Sequence, residues 1–165
     1  MNKPKIMLMG YARHGKDTVL DLLREVGFTA INSSEYVNKT AVFPTLSKLY
    51  GYQTPEECYA DRVNHRAEWM QLINAYNTPD LARMSKGIFS ECDIYAGIRN
   101  ALEFRAARKA GLFDWAIWVD ALDRIPPEKY ESCTVTPTMA DLIINNNGTV
   151  EQLPAAVNRI LNLII

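Results

Sequence analysis

Five short apolar runs recur along the chain, and most of the stretches between them carry helical spacing. Residues 5–9 (KIMLM) are continuously apolar without a 3.6-residue period, as a strand buried on both faces reads. A glycine-containing loop follows, then Lys16 to Leu23, whose apolar positions 19, 20, 22 and 23 predict a helix packed on a sheet and closed by Gly27. Residues 28–32 (FTAIN) read as a second strand. The stretch 34–50 is helical in composition but carries Pro44, so a break is expected there. Thr54-Pro55-Glu56-Glu57 supplies a cap, a first-turn proline and a capping-box glutamate, and predicts one helix running to about Tyr76. A short helix over about 79–90 follows. Residues 93–98 (DIYAGI) are strand-like, 100–110 helical up to Gly111, and 113–119 (FDWAIWV) strand-like again. Residues 120–137, with Pro126-Pro127 and Pro137, read as an exposed loop. A fifth strand (141–145), a turn and a final helix capped by Thr149 complete the chain. Alternating strands and helices predict an α/β domain with a parallel sheet.

The 165 residues suit a single domain. Hydrophobic residues at 48% and charged residues at 22% exclude wholesale disorder. The 18 Lys plus Arg nearly balance 19 Asp plus Glu, so no global basic surface invites nucleic acid or anionic membrane. Any phosphate ligand must be held locally. Cys58, Cys92 and Cys133 with His14 and His65 make no four-ligand zinc set. The apolar run before Gly10 is too short for a signal-peptide core or a membrane span. These features predict a soluble cytoplasmic protein with small-molecule partners, a monomer or homodimer. The apolar residues 161–165 either cover the core or meet a second subunit.

The segment Gly10-Tyr11-Ala12-Arg13-His14-Gly15-Lys16-Asp17-Thr18 fits G-x-x-x-x-G-K, with Asp where Ser or Thr is usual. Glycines let the backbone curl so that its N–H groups converge on an anion at the positive end of the next helix, and the lysine reaches the terminal phosphates. Gly10, Arg13, His14, Gly15, Lys16, Asp17 and Thr18 are the candidate phosphate ligands, with Arg13 near the phosphates and His14 a bystander to the chemistry. At a metal, either Asp17 supplies a carboxylate or Thr18 takes the hydroxyl role; alternatively Asp17 only complements the helix dipole.

Arg62, Arg66, Trp69 and Ile73 recur at spacings of four, three and four. On one helical face they either clamp a phosphate and stack a base, or form a wet charged surface over core residues. Arg99 follows a strand at the edge where ligands of open α/β sheets sit. Glu103 either pairs with it or faces water.

Three motifs carry a family resemblance: the loop ending Gly15-Lys16-Asp17-Thr18, the strand followed by Arg99, Glu103 and Gly111, and the closing Asn146-Asn147-Gly148-Thr149-Val150-Glu151-Gln152-Leu153. In these the sequence resembles the deoxynucleoside monophosphate kinases of phages, within the nucleoside monophosphate and dephospho-CoA kinase group. The resemblance implies a single P-loop kinase domain over 1–165, a five-stranded parallel sheet flanked by helices, a helical acceptor insert over about 34–90 and a short lid over about 121–136. It implies ATP, Mg²⁺ and a nucleoside monophosphate acceptor. Lys16, Arg99 and Arg124 would be catalytic, and Tyr36, Arg62, Arg66, Trp69 and Arg99 would hold the acceptor. Arg124 is either the lid arginine or a partner of Asp120 or Asp123, and Asn147 and Gly148 either line the donor adenine or only make a turn. The family's D-x-R strand end is Gly97-Ile98-Arg99 here, so an acidic group is missing. A dephospho-CoA kinase-like transferase and a nucleotide-binding module with little turnover are the alternatives.

Overall fold

A computed structural model describes residues 3–165. Its strands are β1 (Ile6–Met9), β2 (Ala30–Asn32), β3 (Ile94–Ala96), β4 (Trp115–Asp120) and β5 (Leu142–Asn145). They form one parallel sheet in the order β2-β3-β1-β4-β5. Its α-helices are α1 (Lys16–Glu25), α2 (Ser33–Val37), α3 (Phe43–Tyr50), α4 (Pro55–Ala60), α5 (Arg66–Tyr76), α6 (Arg83–Glu91), α7 (Ala101–Lys109) and α8 (Leu153–Ile164). No helix among the described residues is long and apolar enough to cross a membrane.

The apolar runs are continuous because both faces of the sheet are covered. Side chains alternate across a strand, so Ile6 and Leu8 join one core with Ile94, Ile117 and Val119, while Met7 and Met9 join the other with Tyr95, Ala116 and Trp118. Helices α1 and α8 supply Val19, Leu20, Leu153 and Val157 to the first core. The second core takes residues of α2 to α7. Chain reversal about β1 leaves a crevice at the carboxyl ends of β1 and β3, the position where such sheets bind ligands.

The five strands fall where the pattern predicts them, but two predicted helices do not stay whole. Residues 34–50 divide into α2, a π-helical turn at Asn38–Val42, and α3. Pro44 sits in the first turn of α3, where a missing N–H costs nothing, and the wide turn before it absorbs the break. The predicted helix 54–76 starts as expected, with Thr54 Oγ1 accepting from the Glu57 N–H at 3.2 Å. It then tightens into a 3₁₀ turn, Asp61–Asn64, and breaks at His65 (φ −129°, ψ 31°). The cause is a local polar cluster: Asp61 accepts from Asn64 at 2.6 Å and from the Tyr52 hydroxyl, and His65 bridges Asp61 and Glu68 at 3.1 and 3.0 Å. Such side-chain bonds compete with the helical ladder.

At the opposite end of the sheet from the crevice, Asp93 accepts from the Thr29 N–H (3.0 Å) and hydroxyl (2.8 Å), and from Lys5 (3.3 Å). Burial pushes its carboxyl up, but these donors outweigh it and hold the group below the usual aspartate range. A carboxyl depressed in the folded state contributes stability above its unfolded value and loses it as pH falls through the folded one. Asp93→Asn should therefore cost about 1 kcal/mol at neutral pH. In urea titrations across pH, that deficit should vanish at strongly acidic pH.

Candidate functional site

The loop between β1 and α1 curls through three residues of positive φ, Gly10 (153°), Arg13 (63°) and Gly15 (97°). Gly15 must also be bare: a Cβ there would lie 2.3 Å from Nδ2 of Asn146. That amide donates to the His14 carbonyl at 2.9 Å, locking the loop to the segment after β5. Lys16 donates to the carbonyls of Gly10 and Tyr11 at 2.6 and 2.8 Å. Burial, and then the nearby Arg99 charge, lower its ammonium from the usual lysine value, with Glu128 and Asp17 opposing. A cleft of about 490 Å³ opens over the loop, lined by Arg13, Gly15, Lys16, Asp17 and Thr18.

A second cavity, about 600 Å³, lies under α5 and α7. Trp69 and Ile73 of α5 wall it together with Met84 and Tyr95. The two spaces share Ser33, Ser34, Arg62, Gly97 and Arg99 as a common wall. Arg62 stacks on the Tyr59 ring at 4.0 Å and donates to the Tyr59 carbonyl. Arg66 lines the larger cavity with no ion pair among the described residues. The broken helix thus still brings Arg62, Arg66, Trp69 and Ile73 to one cavity.

Several candidates sit elsewhere. The His14 ring is fully buried, its Nδ1 accepting from the Ala121 N–H (3.1 Å) and its Nε2 meeting the Ile125 carbonyl (3.0 Å). A backbone N–H can only donate, so the proton is on Nε2, and the ring ties the loop to the 121–125 segment with nothing left for a phosphate. Arg124 donates through Nε and Nη2 to the Asn146 carbonyl, at 2.9 and 2.6 Å, and lines neither cavity. Its predicted partners Asp120 and Asp123 do not hold it. Asn147 spends its side chain on the Asp123 N–H and the Asp120 carboxylate, both at 2.9 Å. Gly148 is bare because Gln152, reaching back to cap Thr149, would meet a Cβ at 2.0 Å. Tyr36 turns away from both cavities, its hydroxyl over Gly87 of α6, where a Cβ would come within 1.9 Å.

The 121–136 segment is anchored at both ends. Residues 121–125 dock through His14 and Asn146. At the other end the N–H groups of Thr134 and Val135 donate to the Arg99 carbonyl, and Cys133 and Val135 are buried. Between them Glu128 reaches the phosphate loop. One of its oxygens accepts from the Ala12 N–H at 2.8 Å, and the other pairs with Arg99. One carboxylate thus bridges a loop amide and an arginine. Sequence reading missed Glu128 and Asn146, since neither stands at a motif spacing that announces contact with residues more than 100 positions away.

Gly97 has a backbone reason. Its φ is 91°, its N–H donates to Leu8 at 3.1 Å, and its carbonyl accepts from Ser33 at 3.2 Å. An aspartate would be strained in that conformation. Asp17, at the start of α1, is the carboxylate that lines the loop cleft.

The fold is shared widely. A protein of Thermus thermophilus, "TT1252", matches with TM-score 0.52 and 18% identity, covering 99% of this chain and all of that one. Shikimate kinases of Aquifex aeolicus and Bacteroides thetaiotaomicron both match with TM-score 0.53, at 14% and 13% identity. The coverage is 96% of both chains for the first and 97% of both for the second. The chain has the P-loop kinase fold. No protein-family model matches the sequence, and no curated protein does. At these identities the P-loop kinase likeness carries architecture and leaves the chemistry to the site.

Two substitutions probe the loop and the end of β3. Asn146→Ala removes the amide that holds the loop and should cost about 1–3 kcal/mol in urea denaturation. Gly97→Asp, which restores the resembled family's acid, should cost about 1–2 kcal/mol. A Gly97→Asp protein as stable as the parent would contradict the backbone explanation.

Proposed function

We propose that the protein transfers the γ-phosphoryl of ATP to a (deoxy)nucleoside monophosphate, giving the diphosphate. The observation that carries this is the common wall between two cavities. On one side lies a phosphate loop with a lysine. On the other lies a space lined by Trp69, Ile73 and Arg66, an arginine with no ion pair among the described residues, large enough for a nucleotide by volume. Arg62 and Arg99, on the wall itself, are placed to hold an acceptor phosphate against a donor phosphate.

The acceptor phosphate already carries the attacking oxygen, so no side-chain nucleophile is required. Alignment and charge neutralisation supply the catalysis. Lys16 and the loop amides bind the donor phosphates, and Arg99 orients the acceptor. Glu128 yields the Ala12 amide and Arg99 to the incoming phosphates, so the segment carrying it moves as substrates bind. Asp17 and Thr18 offer the hard oxygen donors that suit Mg²⁺, which keeps most of its ligands as water and phosphate oxygens and neutralises phosphate charge when bound. Asn147 and Arg124 are spent within the protein, so neither side chain is free for the donor adenine.

A nucleotide-binding module with little turnover is the second reading, favoured by Gly97 in place of an acid and by Glu128 on the loop crown. Coupled ADP release with ATP, Mg²⁺ and each deoxynucleoside monophosphate, AMP and dephospho-CoA separates the two. Turnover on one or two nucleotides is the expected result. Tight ATP binding with silence on every acceptor selects the second reading. Lys16→Ala should reduce transfer at least about 100-fold while leaving the unfolding midpoint nearly unchanged; near-parental activity in that variant sinks the kinase assignment.

A further inference from the structure

Two carboxylates line the larger cavity, the exposed Glu131 and the partly buried Glu103. Glu103 stands in the first turn of α7. Its Oε1 accepts from Nδ2 of Asn77 at 3.1 Å. Asn77 is itself buried, and its Oδ1 accepts from the Met84 N–H at 3.3 Å. That second bond orients the amide: its oxygen is committed to a backbone donor, so its NH₂ group must face Glu103. Glu103 is thereby held from behind on one oxygen. Among the described residues no donor meets Oε2, and Arg99, the neighbour four positions back, is engaged by Glu128.

Burial holds this carboxyl above the usual glutamate range, partly offset by the Asn77 amide. Keeping an acid in an apolar pocket is unfavourable unless something donates to it. Combined with fixed geometry, that is the mark of a group placed for a ligand.

The geometry points to Glu103 as the residue that selects the acceptor, its free oxygen taking N–H donors from a guanine base. This rests on the nucleoside monophosphate reading above. An ionised carboxylate only accepts. Guanine alone among the common bases presents two adjacent donors, N1–H and the N2 amino group. Adenine and cytosine set an amino donor beside a ring-nitrogen acceptor, whose lone pair would face the carboxylate. Thymine sets its single N–H between two carbonyl oxygens. The other bases are therefore disfavoured by repulsion as well as by lost bonds. Asn74 opens on the same cavity with a carboxamide able to donate to the guanine O6. Trp69, Met70 and Ile73 add apolar surface to the same cavity.

The test compares all four deoxynucleoside monophosphates on the parent protein and on Glu103→Gln, by ADP release and by equilibrium binding. The variant keeps the shape. Its carbonyl stays with Asn77, so an NH₂ group replaces Oε2 and meets donors with a donor. The parent should show its highest kcat/KM with deoxyguanosine monophosphate. The ratio of that value to the one for thymidine monophosphate should fall about 10- to 100-fold in the variant. An unchanged ratio in an active variant overturns the role of Glu103 and leaves the kinase reading standing. A parent that prefers thymidine monophosphate does the same, and that ranking needs no variant to fold. If the parent neither binds nor phosphorylates any monophosphate, the kinase reading falls and this inference falls with it.

Discussion

The side-chain amide of Asn146 donates to the His14 carbonyl in a buried contact, and Gly15 is bare so that this amide can lie against the loop. The same residue's carbonyl receives both guanidinium bonds of Arg124, and its N–H donates to Asp120 at 2.7 Å. One residue after β5 therefore fixes the loop after β1 and the segment after β4 together. His14 repeats the tie from the other side, through Ala121 and Ile125. A phosphate site made of backbone amides works only if those amides are held in place before the anion arrives, because ordering them on binding would consume the affinity. The two groups that touch the loop, the Asn146 amide and the His14 ring, are buried, and Arg124 braces the segment from the exposed side.

Charge is managed separately, at the mouth. Glu128 meets the Ala12 N–H and Arg99, and opposes the lowering of Lys16. Without such a carboxylate, Lys16 and Arg99 would face each other as like charges across a partly desolvated cleft. The protein's own carboxylate thus balances two cations of the cleft. Its segment is anchored at 121–125 and 133–135, so release needs only the residues between to shift.

Much of the fold was legible in the chain. The apolar runs became the strands, and those of β1, β3 and β4 are continuous because both faces of the central sheet are covered, while the edge strands β2 and β5 are partly exposed. The G-x-x-x-x-G-K spacing placed Lys16 at the start of α1 and the cleft at the end of β1. Thr54 and Thr149 capped where expected, though the latter caps a 3₁₀ turn leading into α8. The spacing of Arg62, Arg66, Trp69 and Ile73 survived a helix break, since one 3₁₀ turn at 61–64 shifts the face only slightly. Helix continuity itself was misjudged at His65, where the acceptors on Asp61 and Glu68 outcompeted the backbone ladder.

Local spacing thus determined the strands, the phosphate loop and the cations near it, because these depend on residues within one or two turns of each other. Side-chain commitments were decided only by the tertiary structure. His14, Arg124 and Asn147 carry chemistry able to bind nucleotide, but each found a partner within the fold, across 107, 22 and 24 residues. Gly97 looked like a missing acid and is a backbone requirement. Glu103 looked like a partner of Arg99 and instead accepts from Asn77 in the cavity wall, while Glu128, 29 residues from Arg99, holds the arginine. A polar group's role depends on which donor or acceptor reaches it in space, and sequence order does not contain that distance.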